Sequence, residues 1–232
     1  MDALTYTRPG GENRAIERLI THERAGGTLL TVVPRQVIFD AGQPSDDVYF
    51  LHSGEIRIYF TQPDGSSMMV EILGPGDWFG VSALAGNLVH QTKAVAETES
   101  RLTKTNASRL LASATSDAGL LVDLVRSIAR RESQLRVATA ELVFDDSRHR
   151  LVGALLRFSD SPAASFSGGE VTLRITQQEL AEAVGVARET VSLALTELRK
   201  QNLVATSRNR LTFDPKVLEE FRRTKPKDTP VT

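Results

Sequence analysis

The stretch TQQELAEAVGVARETVSLALTELRKQN, residues 176 to 202, decides how the rest of the chain is read. Thr176 followed three residues later by Glu179 is a capping box, and Leu180, Ala181 and Val184 then give one apolar face at helical spacing. Gly185 ends that helix. A second helix is predicted from about Arg188 to Lys200, burying Val191, Leu195 and Leu198, with Arg188, Glu189, Ser192, Arg199 and Lys200 facing outward. The stretch reads as a helix-turn-helix, and two short helices joined across a glycine can set the second in a DNA major groove.

The chemistry of that second helix suits a groove. Arginine bonds guanine O6 and N7 together, and glutamate accepts from the cytosine amino group, so Arg188 and Glu189 near the helix start are candidate base readers. Helical hairpins with a Gly turn and a surface Arg-Glu pair also occur outside DNA-binding proteins, so the flanks matter. Val204 to Thr206 and Leu211 to Phe213 read as two short strands around the turn Ser207-Arg208-Asn209, a basic wing. Before the hairpin, Val171, Leu173 and Ile175 alternate with Thr172 and Arg174, a strand leading into the capping box. The candidate DNA-binding residues are Thr176, Gln178, Arg188, Glu189, Thr190, Ser192, Leu193, Arg199, Lys200, Arg208 and Arg210.

Composition sets outer limits. With 232 residues the chain has length for one large or two ordinary domains. The charged fraction of 25% and hydrophobic fraction of 41% are those of a soluble globular protein. A net charge of -1 does not advertise nucleic-acid binding, and from Asp145 onward Lys and Arg number 14 against 12 acids, so affinity for double-stranded DNA has to come from local placement. The absence of cysteine excludes disulfides, thiolate-ligated clusters and a thiol switch. With neither an apolar run of 18 residues nor a signal-peptide pattern, the expectation is a cytoplasmic protein with no membrane partner.

In chain order, residues 1 to 13 are polar and Gly-rich, and Ala15 to Thr21 reads as a short helix with Ile16, Leu19 and Ile20 inward. From Thr28 to about Lys104 the pattern is β: Val32 to Phe39, then Val48 to Leu51, then Ile56, Ile58 and Phe60 alternating with Arg57 and Tyr59. Turns fall at Ala41-Gly42-Gln43-Pro44, Ser53-Gly54, Asp64-Gly65 and Gly74-Pro75-Gly76-Asp77. Strands so spaced predict a compact antiparallel barrel or roll.

From Asp117 to Val143 the period changes. Leu121, Val125, Ile128, Glu132, Leu135, Thr139 and Leu142 follow steps of four and three, a heptad seam. A helix of this length spans roughly 40 Å, more than a small barrel needs, which favours a homodimer seam of Leu121, Val125, Ile128, Leu135 and Leu142 over an amphipathic helix packed on its own barrel. Phe144-Asp145-Asp146 reads as a hinge, with Asp146 capping a helix Ser147 to Phe158 whose apolar face is Leu151, Ala154, Leu155 and Phe158. Ser159 to Gly169 reads as a small polar loop, Pro215 to Arg223 as a last helix, and Thr224 to Thr232 as a disordered tail.

The order of β-roll, long helix, hinge and winged helix-turn-helix, with PGDWFG at 75 to 80 and VARETVSLAL at 186 to 195, resembles the CRP/FNR superfamily of transcription regulators. The likeness covers most of the chain. It implies an α+β fold of a cyclic-nucleotide-binding-like β-roll over 1–116, a long dimerisation helix over 117–144 and a winged helix-turn-helix over 145–232. It also implies an effector pocket in the roll, a dimer through the long helix, and RNA polymerase as a further partner if the protein activates. Arg188 and Glu189 stand where the family's cyclic AMP receptor proteins read a TGTGA half-site, and a third base-reading arginine of those receptors falls at Leu193. Ala187 stands where a capping Ser or Thr is expected.

The candidate effector pocket is Gly80, Val81, Ser82, His90, Gln91, Arg131, Leu135 and Arg136. Cyclic AMP receptors carry a glutamate at Val81, an Arg-Ser pair at His90-Gln91 and a Thr-Ser pair at Leu135-Arg136, so the resemblance implies a regulator that does not use cyclic AMP. Phe79-Gly80-Val81 resembles instead the 2-oxoglutarate-binding nitrogen regulators, with Arg131 aligned to an effector arginine of that group and Arg136 in place of a glutamate. A small anion at Arg131 or Arg136, a surface salt-bridge network and a closed pocket with no ligand remain open readings. No cofactor is expected. His22, His52, His90 and His149 have no metal spacing, and there is no nucleophile elbow, P-loop or dinucleotide fingerprint, so an enzyme is not expected. The alternative function is a small-molecule-binding β-roll module that acts through protein partners.

Overall fold

A computed structural model describes residues 17, 20, 26–62, 67–86, 89–144 and 146–223; inside the long helix the side chains at 120, 130, 131, 134, 137, 138 and 140–144 fall outside that description. The expectations for residues 1–13, the Asp64-Gly65 turn, Asp145 of the hinge and the tail 224–232 lie outside the described residues. So does most of Ala15 to Thr21, of which Glu17 and Ile20 are helical and Ile20 is fully buried. The chain divides into two compact units, 1–136 and 137–232, the division falling within the long helix.

In the first unit the described strands are β1 (Thr28–Val32), β2 (Val37–Phe39), β3 (Asp47–Ser53), β4 (Ile56–Thr61), β5 (Ser67–Leu73), β6 (Trp78–Phe79), β7 (Lys93–Ala96) and β8 (Ser100–Asn106). They form two antiparallel sheets, ordered β1-β8-β3-β6 and β2-β7-β4-β5. Residues from both sheets meet in one core cluster: Val32, Tyr49, Leu51, Phe79 and Leu102 from the first, Phe39, Ile56, Ile58 and Leu73 from the second. Successive side chains of a strand point to opposite faces, and β3 buries both of its faces. Tyr49 and Leu51 enter that cluster. Val48 and Phe50 enter a second one, with Ile20, Trp78, Ala107, Leu110, Ala114 and Leu124. Two helices close this second cluster, α1 (Ala107–Thr115) and the long α2 (Ala118–Phe144).

The long helix thus has two faces in the first unit. Leu124 is buried against the roll and Ser127 accepts a hydrogen bond from the Trp78 indole at 2.9 Å. On the other side Leu121, Val125, Ile128 and Leu135 are 37%, 57%, 41% and 50% exposed. The packed-on-its-own-barrel reading therefore describes one face of the helix and leaves the heptad stripe outside that packing.

The second unit holds α3 (Ser147–Phe158), α4 (Gln177–Val184), α5 (Arg188–Lys200) and α6 (Pro215–Arg223), with a sheet ordered β11-β12-β10-β9. Its strands are β9 (Ala164–Ser167), β10 (Glu170–Arg174), β11 (Ala205–Ser207) and β12 (Arg210–Phe213). Asp146 caps α3 by accepting from His149 N at 2.8 Å. Burial acts to raise the Asp146 pKa, but hydrogen bonds from the His149 backbone and ring, its charge, and the Arg148 backbone together hold it below the usual carboxylate value. Leu151, Ala154, Leu155 and Phe158 are buried, and α3 packs against α4, α5 and α6.

Three readings are corrected and one helix is added. Val32 to Phe39 is not one strand: Pro34 has no N–H to give a ladder, Arg35 turns with φ 67°, and β1 and β2 enter different sheets. Arg57 does not face out; it is 3% exposed, with Nε and Nη2 each 3.1 Å from Oε1 of Glu55, itself 2% exposed, whereas Phe60 is exposed. A bulge between Ile58 and Tyr59 breaks the alternation there. Residues 107–115 form a helix that no expectation covered, capped by the Asn106 side chain, which accepts from Ser108 N and Arg109 N. Ser159 to Gly169 is not all loop, since Ala164–Ser167 pairs with β10 through a hairpin at Gly168-Gly169.

Candidate nucleic-acid interface

The helix-turn-helix is built by local chemistry. The Thr176 hydroxyl accepts from Glu179 N at 3.1 Å and Glu179 accepts from Thr176 N at 2.6 Å, which fixes the start of α4. Gly185, at φ 70°, donates to the Ala181 carbonyl and closes it. That left-handed conformation is open to glycine at little cost and brings the chain round into α5. Val191, Ala194, Leu195 and Leu198 bury the inner face of α5. Ala187 supplies no side-chain cap, so its first turn lacks that hydrogen bond.

This burial sets what α5 presents outward. Arg188, Glu189, Leu193, Thr196, Arg199 and Lys200 are exposed, and Thr190 and Ser192 are half-buried. Beside them β11 and β12 form the wing. Ser207 pairs with Arg210, so the turn proper is Arg208-Asn209, with Asn209 at φ 55°. A cleft of about 460 Å3 lies between the start of α4, the start of α5 and this turn, lined among others by Thr176, Gln178, Arg188, Arg208 and Arg210. Five of the expected DNA-binding residues therefore share one concave surface bearing three arginines. Glu189, Thr190, Ser192, Leu193, Arg199 and Lys200 lie outside its lining, along α5.

The expected effector residues are more dispersed. Gly80 has φ 78°, and a Cβ there would meet the Asp47 carbonyl oxygen at 2.8 Å, so only glycine fits where the roll passes into the short 3-10 turn Val81–Ala85. Val81 packs against the second core cluster, and Ser82 Oγ lies 3.2 Å from Ser45 Oγ. His90 is buried and stacked on Phe39, ring centroids 3.7 Å apart and 6° from parallel. Its main chain is tied on both sides, donating to Gln43 O and accepting from Gly42 N, each at 2.8 Å. Burial lowers the His90 pKa against the weaker upward pull of Asp47 and Asp46, so the ring is neutral at pH 7. Gln91 is exposed. On the long helix Leu135 is exposed, and the exposed Arg136 is paired with Glu132 one turn earlier, which raises its pKa. The Arg131 side chain is outside the described residues.

The buried Glu55-Arg57 pair was not foreseen; an acid two residues before a base, at the entry to β4, was its signal. Among the described residues no group of His, Asp or Glu is arranged to hold a metal ion, and no helix is long and apolar enough to cross a membrane.

Comparison with known proteins places both units. Residues 29–116 match the family model of the cyclic nucleotide-binding domain, and residues 149–221 match that of the Crp-like helix-turn-helix domain. The chain is 30% identical over 161 residues to the CRP-like cAMP-activated global transcriptional regulator of Mycobacterium tuberculosis, covering 69% of this chain and 72% of that one. It is 28% identical over 202 residues to the transcriptional regulator SdrP of Thermus thermophilus, covering 83% and 96%. The crystal structure of a CRP/FNR-family transcriptional regulator from Thermus thermophilus superposes with a TM-score of 0.72 at 27% identity, covering 86% of this chain and all of that one. With a nucleotide-binding-type β-roll, a long helix and a Crp-like winged helix-turn-helix in this order, the chain belongs to the CRP/FNR superfamily of transcription regulators and is not an enzyme.

Proposed function

We propose that the protein is a homodimeric, cytoplasmic regulator that binds a TGTGA-like palindrome without cyclic AMP, with 1–116 as sensor-like roll, 117–144 as dimerisation helix and 145–232 as DNA reader. The observation that carries this is the cleft in which Arg188 at the start of α5 meets Arg208 and Arg210 of the wing. Phosphate contacts from the wing would fix the register while Arg188 and Glu189 read base edges. The exposed Leu121, Val125 and Ile128, on a helix whose opposite face is anchored to the roll, support the two-fold assembly. RNA polymerase is the further partner we propose if the protein activates.

Independence from cyclic AMP is supported by the chemistry of the roll. Val81 offers no hydrogen bond to a ribose hydroxyl, and a neutral, stacked His90 offers no fixed cation to a cyclic phosphate. The Mycobacterium tuberculosis relative is cAMP-activated, which makes cyclic AMP the nucleotide to test. A second reading, a roll that binds a small anion such as 2-oxoglutarate and acts through protein partners, draws on the uncapped Ala187 and the exposed Leu193 of α5. Selection from a random duplex library, followed by gel-shifts with and without each small molecule, separates the two. Enrichment of a palindrome and equal shifts with nothing added are expected. Binding seen only with cyclic AMP overturns the independence, and no enrichment favours the second reading.

A further inference from the structure

Leu193 is 70% exposed, the most exposed large apolar side chain among the described residues. Its neighbours on the helix leave it no role in the fold. Val191, Ala194 and Leu195 already fill the inner face of α5, and any rotation that hid Leu193 would expose them. Leu193 lies one turn beyond Glu189, about 6 Å along the same face. On its other side stands Thr196, whose hydroxyl donates to the Ser192 carbonyl at 2.9 Å. Leu193 is therefore the apolar side chain in the middle of the outward face, between the charged first turn on one side and, on the other, Glu197, exposed and paired with Arg148 at 3.4 Å, and the basic Arg199-Lys200 end.

A leucine can neither bond a phosphate nor satisfy the donors and acceptors of a base edge. In the major groove the apolar feature open to it is the C5-methyl group of thymine. On the reading of α5 as the DNA-reading helix, on which this inference rests, we propose that Leu193 is a specificity residue that packs on a thymine methyl, so that each half-site carries an A·T pair next to the pairs read by Arg188 and Glu189. A cytosine in that place would offer no methyl and would leave its amino group desolvated against the side chain.

The test replaces thymines one at a time by deoxyuridine, which removes the methyl and leaves the base-pairing edge unchanged, in the duplex enriched by selection. For the wild-type protein, one thymine per half-site should weaken binding about four-fold when so replaced, the fold-change matching ~0.8 kcal/mol per buried methyl-sized group, and on the order of fifteen-fold when both half-sites are changed. Leu193→Ala should bind the thymine and deoxyuridine duplexes alike. Because Leu193 is exposed, this variant tests contact and not folding. Selective binding with no deoxyuridine-sensitive position, or the same sensitivity in Leu193→Ala, overturns the inference and leaves the DNA-binding reading standing. Failure to enrich any duplex overturns both.

Discussion

The indole Nε1 of Trp78 donates to Ser127 Oγ across 2.9 Å, joining β6 of the roll to the long helix one turn beyond the buried Leu124. This is a polar pin beside an apolar one, and together they set which face of the helix is left for a partner. Ser127→Ala is expected to cost about 0.5–1.5 kcal/mol, the net worth of one such hydrogen bond. Urea unfolding followed by tryptophan fluorescence measures it, since Trp78 is the single tryptophan of the chain.

The two faces of the same helix should respond differently. Ile128→Glu places a charge on the exposed stripe and is expected to give a folded monomer, because a buried unpaired carboxylate at a seam is costly. Leu124→Ala should lose about 2–5 kcal/mol of stability through the cavity it leaves in the roll, without dissociating the protein at temperatures where it stays folded. Light scattering beside thermal melts distinguishes them. A dimeric Ile128→Glu protein would move the interface elsewhere.

Arg188 and Arg208 line one cleft but should do different work. Arg188→Ala is expected to lose about 1–3 kcal/mol per half-site and relax preference at one guanine, whereas Arg208→Ala weakens all duplexes alike and lowers the salt slope by about one. Titrations at several salt concentrations on selected and random duplexes read both effects. Equal losses on the two duplexes for Arg188→Ala would make it a phosphate contact.

The winged unit was legible because its signals are local. A capping box, a Gly stop and period-3.6 burial lie within 25 residues of one another, and α5 spans Arg188–Lys200 as the periodicity predicts. The roll was less so, because its strands answer to partners far away in sequence. Arg57 is buried in β4 where its carboxylate partners Glu55 and Glu97 meet it, the latter from far along the chain; in the winged unit β9 was the exception, hidden in a stretch of small polar residues whose pairing with β10 supplies what their side chains do not signal. Asn106 and α1 were missed for a different reason: the helix is nine residues long, and its inward Leu110 and Ala114 are too few to establish a period. The effector residues came from likeness to relatives, and the chemistry at His90 depends on Phe39, which no spacing connects to it.

The Glu55-Arg57 pair gives a sharp stability test. Both side chains are 3% exposed, so Glu55→Ala takes the nearer carboxylate from a buried guanidinium, leaving Glu97 at 3.8 Å as the longer ion-pair partner, and is expected to cost at most about 3–5 kcal/mol. Replacing both, as Glu55→Leu with Arg57→Met, should recover most of that loss, since a well-packed apolar pair avoids the desolvation of two charges. Chemical unfolding of the two variants decides it. A double variant as unstable as the single would mean that the pair holds more than itself in place.

His90 should make stability depend on pH in a defined window. Burial against Phe39 disfavours its charged form, Asp47 and Asp46 only partly offset this, and the folded pKa lies below the ordinary histidine value of about 6.5. Between the folded pKa and that value the unfolded chain binds the proton and the folded chain does not. Stability is therefore fully present above about pH 6.5 and falls as the pH drops through the folded pKa, by at most about 1.4 kcal/mol per pH unit for one proton. His90→Phe keeps an aromatic ring beside Phe39 and removes the titration. Urea midpoints of both proteins at pH 7.5, 6.5, 5.5 and 5.0 should show a difference that is constant at the upper end and moves in the variant's favour below pH 6.5. Parallel curves across the whole range would mean that His90 takes up its proton as readily folded as unfolded.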